Sequence, residues 1–251
     1  MTDFEYSGSE LSVFAGATCW KSYVRRLISP WLGDEVLEVG AGIGGSTAAL
    51  CPPGIRRWVC LEPDGRMAAD LAARIAAGDL PACCEATRGG LRNLPATPTF
   101  DSILYLDVLE HIEDDGAEVR EAFRRLRPSG HLVILAPAHA WLYTPFDESI
   151  GHFPRYTVPS LRALLPPAAC VLRADYLDAA GLLSSLANRF VLRSGTPTAA
   201  QVLFWDRILV RLSQLLDPVL GNRVGKSVLM VVRRQTAFTT ALTGASSVAA
   251  R

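Results

Sequence analysis

Val36-Leu-Glu-Val-Gly-Ala-Gly-Ile-Gly-Gly-Ser46 decides the fold. Its first residues, Val36 to Val39, read as a short buried strand, the glycines as a tight turn, and Ser46 to Leu50 as the start of a helix. Glycine suits such a turn because it takes positive φ and because the absence of a Cβ lets a ligand lie against backbone at a helix N-terminus. Two spacings coexist. Gly40, Gly42 and Gly45 fit GxGxxG, the dinucleotide fingerprint, while Gly40, Gly42 and Gly44 fit GxGxG.

Glu38, two positions before Gly40, separates these readings. A carboxylate under the turn would repel a pyrophosphate, which seeks helix N–H groups. It would attract the ammonium and sulfonium of S-adenosylmethionine (SAM), the ligand for which GxGxG is used.

Outward from this stretch, strand and helix signals alternate. Upstream, Trp20, Tyr23, Val24, Leu27, Ile28 and Trp31 recur at helical spacing within Ala17–Trp31, and Pro30 limits the helix. Downstream come a strand over Arg57–Leu61 ending at Glu62 and a helix over Asp64–Ala77 with Asp64 as N-cap. A short strand follows over Ala82–Thr87, then the turn Arg88-Gly89-Gly90 and a strand over Phe100–Leu106 ending at Asp107. A helix is expected over Asp114–Leu126, broken by Pro128-Ser-Gly130, and a fifth strand over His131–Ala136. This alternation predicts a parallel sheet covered on both faces, which binds ligands at its strand C-terminal ends. Glu38, Glu62 and Asp107 all fall there.

Beyond Pro137 regularity drops. Residues 138–156 mix aromatic, His, Asp and Arg side chains and read as a loop over the site. A helix over Val158–Leu165, strands over Val171–Leu177 and Ser227–Arg233, and helices over Ala179–Leu192 and Gln201–Leu216 complete the chain, with one closing strand reversed. Domain organisation is read as a flexible arm over 1–16, one domain over 17–235 and a disordered tail over 236–251.

Composition narrows the function. Of the 251 residues, 49% are hydrophobic, and Lys+Arg and Asp+Glu are both 25, so no global field favours nucleic acid or an anionic membrane. Lys21 and Lys226 are the two lysines among those cations, read as compositional bias. Six cysteines without a CxxC pair read as buried thiols in a reducing cytoplasm. A polar, acidic N-terminus is unlike a signal peptide, and no apolar run approaches a membrane span.

Four segments carry a resemblance: Glu38-Val-Gly-Ala-Gly-Ile-Gly44, Leu61-Glu-Pro-Asp64, Tyr105-Leu-Asp-Val-Leu-Glu-His-Ile112 and Leu126-Arg-Pro-Ser-Gly-His-Leu-Val133. With them the chain resembles class I SAM-dependent methyltransferases over residues 17–235. The resemblance implies an α/β fold with a doubly wound, mostly parallel seven-stranded sheet, order 3-2-1-4-5-7-6, last strand antiparallel. It implies SAM as cofactor, with Glu38 holding the methionine ammonium, Gly40, Ala41 and Gly42 passing beneath, and Glu62 accepting both ribose hydroxyls. Pro63 would flank the adenine, Asp107 and Val108 would border the methionine, and Trp20 and Tyr23 would close over it. Many relatives have an acidic or hydroxyl residue after the third strand; here Arg88-Gly89-Gly90-Leu91 leaves backbone, Gly90 included, to meet the adenine amine.

The transferred methyl needs a positioned nucleophile and, for a hydroxyl acceptor, a base. Tyr143, Asp147, His152, Arg155 and Tyr156 are the candidates on the irregular loop, with His152 as base; the plainer alternative is that His152 and Arg155 brace the loop. His111 is a second candidate, sharing an i, i+3, i+4 spacing with Asp107 and Glu110. Some relatives bind a divalent metal through Glu-x-x-Glu-His; with Asp107 first, no metal is expected. The apolar stretch Val202–Leu216 reads as core packing, with an acceptor-pocket wall or a homodimer face as the sharper readings. The function expected is methylation of a small, partly apolar molecule in the cytoplasm, O-methylation favoured. C- or N-methylation, an NAD(P)-dependent oxidoreductase and a non-catalytic SAM-binding module are the alternatives. No nucleic-acid partner is expected.

Overall fold

Five consecutive buried residues, Glu35–Val39, form β1, the centre of the molecule. The computed structural model describes residues 14, 16–95, 97, 99–153, 155–187 and 198–236. The expected tail, apart from its first residue, and nearly all of the expected N-terminal arm lie outside them.

Around β1 the strands β2 (Arg57–Glu62), β3 (Cys84–Arg88), β4 (Phe100–Leu106), β5 (Leu126–Pro137), β6 (Ala169–Leu177) and β7 (Ser227–Arg234) make one sheet, order β3-β2-β1-β4-β5-β7-β6. Pairings among β1 to β5 are parallel, and β7 runs antiparallel to both β5 and β6. This is the order implied by the resemblance. The two-residue side-chain period of β1 sorts its core onto opposite faces. Leu37 and Val39 join the layer of α4 (Asp115–Arg125) and α6 (Val158–Leu164); Val36 joins the layer of α1 (Thr18–Ile28) and α3 (Gly65–Ala77).

Glycine turns and caps set the helices that matter for the site. α2 (Gly45–Leu50) begins after Gly44, whose φ of +79° and close packing under Leu71 and Leu80 leave no room for a Cβ. The Asp64 carboxylate accepts the Arg66 and Met67 N–H groups and starts α3, as expected. Two inward acids tie distant helices together. Asp206 accepts from the Cys19 and Trp20 N–H groups at the start of α1. Asp217 accepts from Asp178 and Ala179 at the start of α7 (Ala179–Ala187) and from the Tyr23 hydroxyl.

Three segments differ from expectation. Pro128-Ser-Gly130 does not separate helix from strand: β5 starts at Leu126 and runs through it with a register shift against β4. Ser129 takes φ +66°, Arg127 pairs with Asp101 at 2.9 Å, and Gly130 sits where a Cβ would lie 2.9 Å from the Arg127 and Asp101 carbonyl oxygens. The helix expected over Gln201–Leu216 is longer and interrupted. It comprises α8 (Ala199–Phe204), a π turn (Trp205–Leu209) and α9 (Val210–Val219). The loop over 138–156 holds a short helix, α5 (Pro145–Ser149), and is stitched to the sheet by an Ala138–Tyr156 bridge. Of the helix expected over Ala179–Leu192, residues 188–192 lie outside the described set.

Candidate active site

One cavity of about 800 Å³ opens at the C-terminal ends of β1, β4 and β5. Such a volume is in the range of small-molecule sites. Its floor is the glycine turn, Gly40 to Ile43 with Gly45 and Ser46; its walls are α1, the 140–155 loop, and α7 with α8 and the π turn. Gly40 has φ +68°, and a Cβ there would meet the Val108 methyls at 2.6 and 2.7 Å, so the close approach of loop to Val108 requires glycine.

Of the residues expected at the cofactor, Trp20, Gly40, Ala41, Gly42 and Asp107 line the cavity. Asp107 is exposed there and takes φ +55°; enclosure by the surrounding walls raises its pKa to about 6, against the pull of His152, Lys226 and Arg155. The others sit behind. Glu38 faces the α1/α2 layer, where one carboxylate oxygen accepts from Thr47 at 2.7 Å and from Trp58 Nε1 at 2.8 Å. Burial raises its pKa to about 7. Both Glu62 oxygens accept backbone N–H groups, from Gly42 at 2.7 Å and Asp64 at 2.9 Å, and each keeps a lone pair for a further donor. Tyr23 is buried, with its hydroxyl donated to Asp217. Gly90 is exposed with open space around it, and Pro63 and Val108 do not line the cavity.

The loop candidates converge on Asp147. Its carboxylate accepts Arg155 through Nε and a terminal nitrogen at 2.9 Å each, the Thr144 hydroxyl and N–H, and faces His152 Nδ1 at 3.0 Å. Although burial opposes it, these donors hold the Asp147 carboxyl well below the usual range. An ionised carboxylate is acceptor-only, so the His152 nitrogen facing it, Nδ1, carries a proton whether the ring that makes this bond is neutral or charged. His152 thus lines the cavity while Arg155 also clamps the loop.

His111 packs edge-on to His152, ring centroids 4.5 Å apart. Burial first, then His152, lowers its pKa to about 4, so it is a neutral imidazole. Tyr143 and Tyr156 are not at the cavity: Tyr143 donates to the His152 carbonyl at 2.8 Å, and Tyr156 donates to Asp115 and the Leu109 carbonyl. Their hydroxyls support the loop and do not face an acceptor.

Four features add to the sequence reading, in which Glu110 stood only as a spacing partner of Asp107 and His111 and the two lysines as compositional bias. Glu110 is 0% exposed, and neither of its oxygens has a partner; Oε1 lies 3.9 Å from His152 Nε2. Burial, with the Asp107 charge, pushes its pKa well upward. Among the described residues, Glu110, His111 and His152 each offer a ligand atom within 4.8 Å of the others, as do Cys51, Cys83 and Cys84 beyond α2. The two lysines both line the cavity, Lys21 from α1 and Lys226 before β7, the latter 4.1 Å from the Trp205 ring and 3.4 Å from Asp178. Their presence in a chain otherwise served by arginine was the available signal.

Known proteins share this fold. Residues 37–134 match the family model described as a methyltransferase domain. The chain is 30% identical over 138 residues to a demethylmenaquinone methyltransferase of Corynebacterium kroppenstedtii, covering 51% of this chain and 56% of that protein. It is 31% identical over 119 residues to norajmaline N-methyltransferase of Rauvolfia serpentina, covering 46% and 40%. The chain therefore spans about half the length of these curated relatives. Among solved structures, mitomycin 7-O-methyltransferase MmcR superposes with a TM-score of 0.55 at 16% identity over 89% of this chain and 54% of that one, a likeness of fold. Among the described residues no helix is long and apolar enough to cross a membrane. Residues 37–134 are thus similar to a methyltransferase domain, and the sheet order and superposition make the likeness to the solved structure one of fold.

Proposed function

We propose that this chain transfers a methyl group from SAM to a small, partly apolar acceptor, with a hydroxyl acceptor favoured. The observation that carries the acceptor chemistry is His152, whose Nδ1 is pinned by Asp147 and whose ring lines the same cavity as the glycine turn. SAM supplies an activated methyl on a sulfonium, so the protein's work is positioning and proton removal. Gly40, Ala41 and Gly42 admit the cofactor against backbone. Asp107 receives the ammonium directly, and Glu38 acts from behind the loop by holding Thr47 and Trp58. Glu62 uses its remaining lone pairs on the ribose. His152 Nε2 takes the acceptor proton, and Asp147 stabilises the resulting imidazolium. Trp20, Leu142, Phe146 and Phe204 supply apolar wall for the acceptor.

The test is turnover of labelled SAM against a panel of phenolic, quinol and amine acceptors, with His152→Ala beside the native chain. The expected loss is about 10²–10⁴-fold in kcat with SAM affinity nearly unchanged. Full kcat with a raised acceptor KM would take His152 out of proton transfer. Calorimetry showing NADH binding without SAM binding would overturn the reading altogether.

The orphaned Glu110 carboxylate favours one second reading, a divalent cation held by Glu110, His111 and His152. That cation would engage the acceptor oxygen in place of a free base. Sensitivity of turnover to a chelator separates the two readings.

A further inference from the structure

We propose that the outer face of α8, the π turn and α9 docks the protein on an anionic lipid surface. Phe204, Ile208, Leu212, Leu215 and Val219 follow one another at spacings of four, four, three and four, the spacing of one helix side. All five are exposed, Leu215 at 70% and Val219 at 83%. Leu203 and, just beyond the helix, Leu220 and Val224 extend the patch. Scattered exposed leucines are ordinary on a soluble domain; a continuous row along four turns marks a contact surface.

Charge identifies the partner. Arg207 and Arg211, four residues apart, flank the row, and Arg223 follows it; all three are exposed. The acids of the same segment, Asp206 and Asp217, are turned inward and consumed by the N-termini of α1 and α7. From Thr198 to Arg223, then, every exposed formal charge is positive, although the chain as a whole is neutral. An apolar row edged by arginine is the makeup of a helix lying in a membrane interface, its side chains in the acyl boundary and its guanidinium groups among phosphates.

A second copy of the chain fits less well. A two-fold contact would press Arg207 and Arg211 against the same basic face of the partner, with no exposed acid there to pair with them. Few polar groups on the face could fix a register with a protein, since the Gln214 amide oxygen is already taken by Arg26. The same segment lines the cavity through Val202, Phe204 and Trp205, so docking would set the cavity wall against the lipid. This inference does not rest on methyl transfer.

Flotation of the full chain with vesicles tests it, using phosphatidylcholine alone and phosphatidylcholine with about a third phosphatidylglycerol. Binding to the anionic vesicles is expected, weakened at least about tenfold by omitting phosphatidylglycerol or by raising the salt. The pairs Ile208→Ser with Leu215→Ser and Arg207→Gln with Arg211→Gln should each weaken it about tenfold while SAM affinity, reporting an intact fold, is unchanged. Absence of binding to anionic vesicles at low salt would overturn the proposal, as would binding that neither pair alters. So would a concentration-dependent dimer, seen by sedimentation, that Leu215→Ser dissolves, because the face would then join copies of the chain.

Discussion

The two halves of the cavity are built by different means. On the floor side, from β1 to the end of β4, the ligand surface is backbone: Gly40, Ala41 and Gly42, with acids at successive strand ends. On the far side it is made of single side chains borrowed from the 140–155 loop, α7, α8 and the π turn. A surface of backbone is dictated by local geometry, so it is written as spacing and shared by many proteins. A surface of side chains depends on which residues a tertiary fold happens to bring together, and the proposed function puts the acceptor chemistry there. The matched family segment, 37–134, covers the first kind and stops short of the second.

This contrast can be broken at its strongest point. Asp147→Ala removes the acceptor that Arg155, Thr144 and His152 share in a nearly closed setting, and should destabilise the protein by about 3–5 kcal/mol while lowering kcat, with the cofactor floor intact. Chemical denaturation and SAM calorimetry on the same variant check both statements; an equal loss of SAM affinity would mean the two halves are not separable.

Glu62→Ala probes the other half. The loss of ribose hydrogen bonds should weaken SAM by about 2–4 kcal/mol and leave the sheet folded, since the residue ends β2. Unchanged affinity would show that the ribose lies elsewhere.

Glu38 gives a smaller, pH-dependent effect. Its folded pKa of about 7 lies above the ordinary carboxylate value, so its contribution to stability is present at low pH. Between roughly pH 4.5 and 7 the unfolded chain ionises while the folded one stays protonated, and stability falls by about 1–3 kcal/mol across that window. Thermal melts of the native chain should show this drift, and Glu38→Gln should flatten it. A drift of the same size in Glu38→Gln would assign it to another group.

The smallest expected effect is that of a chelator, because the mechanism proposed above uses His152 as base without a metal. Loss of turnover in EDTA, restored by magnesium or zinc, would turn Glu110, His111 and His152 into a cation site and make His111→Ala as damaging as His152→Ala.

What the sequence made legible follows the same division. The glycine turn, the Asp64 cap and the seven strands could be read because each depends on a few adjacent residues. Glu38 was placed at the correct strand end, yet its direction lay in the alternation itself: with Val36 it faces α1 and α2, not the cavity. Pro128-Ser-Gly130 looked like a breaker because its partners, Asp101 and the β4 carbonyls, are some 30 residues away in sequence. The Asp147–His152 pair was visible as candidates but not as a pair, and Tyr143 and Tyr156 read as candidates at the acceptor where packing turns them to backbone and Asp115. Lys21 and Lys226 could be counted but not located, and net charge concealed the one-signed face of α9.

The π turn at Trp205–Leu209 has a consequence for how this protein can change. It holds one more residue than an α-helical turn would, which advances the phase of everything after it by about 100°. Asp206, within the turn, reaches α1 and, further along, Asp217 reaches α7 on one and the same rod. Substitutions along the rod alter one surface at a time, but deleting a single residue from the turn would rotate α9 relative to α8, so that Asp206 and Asp217 could no longer both meet their targets. In this segment, length is constrained more tightly than composition.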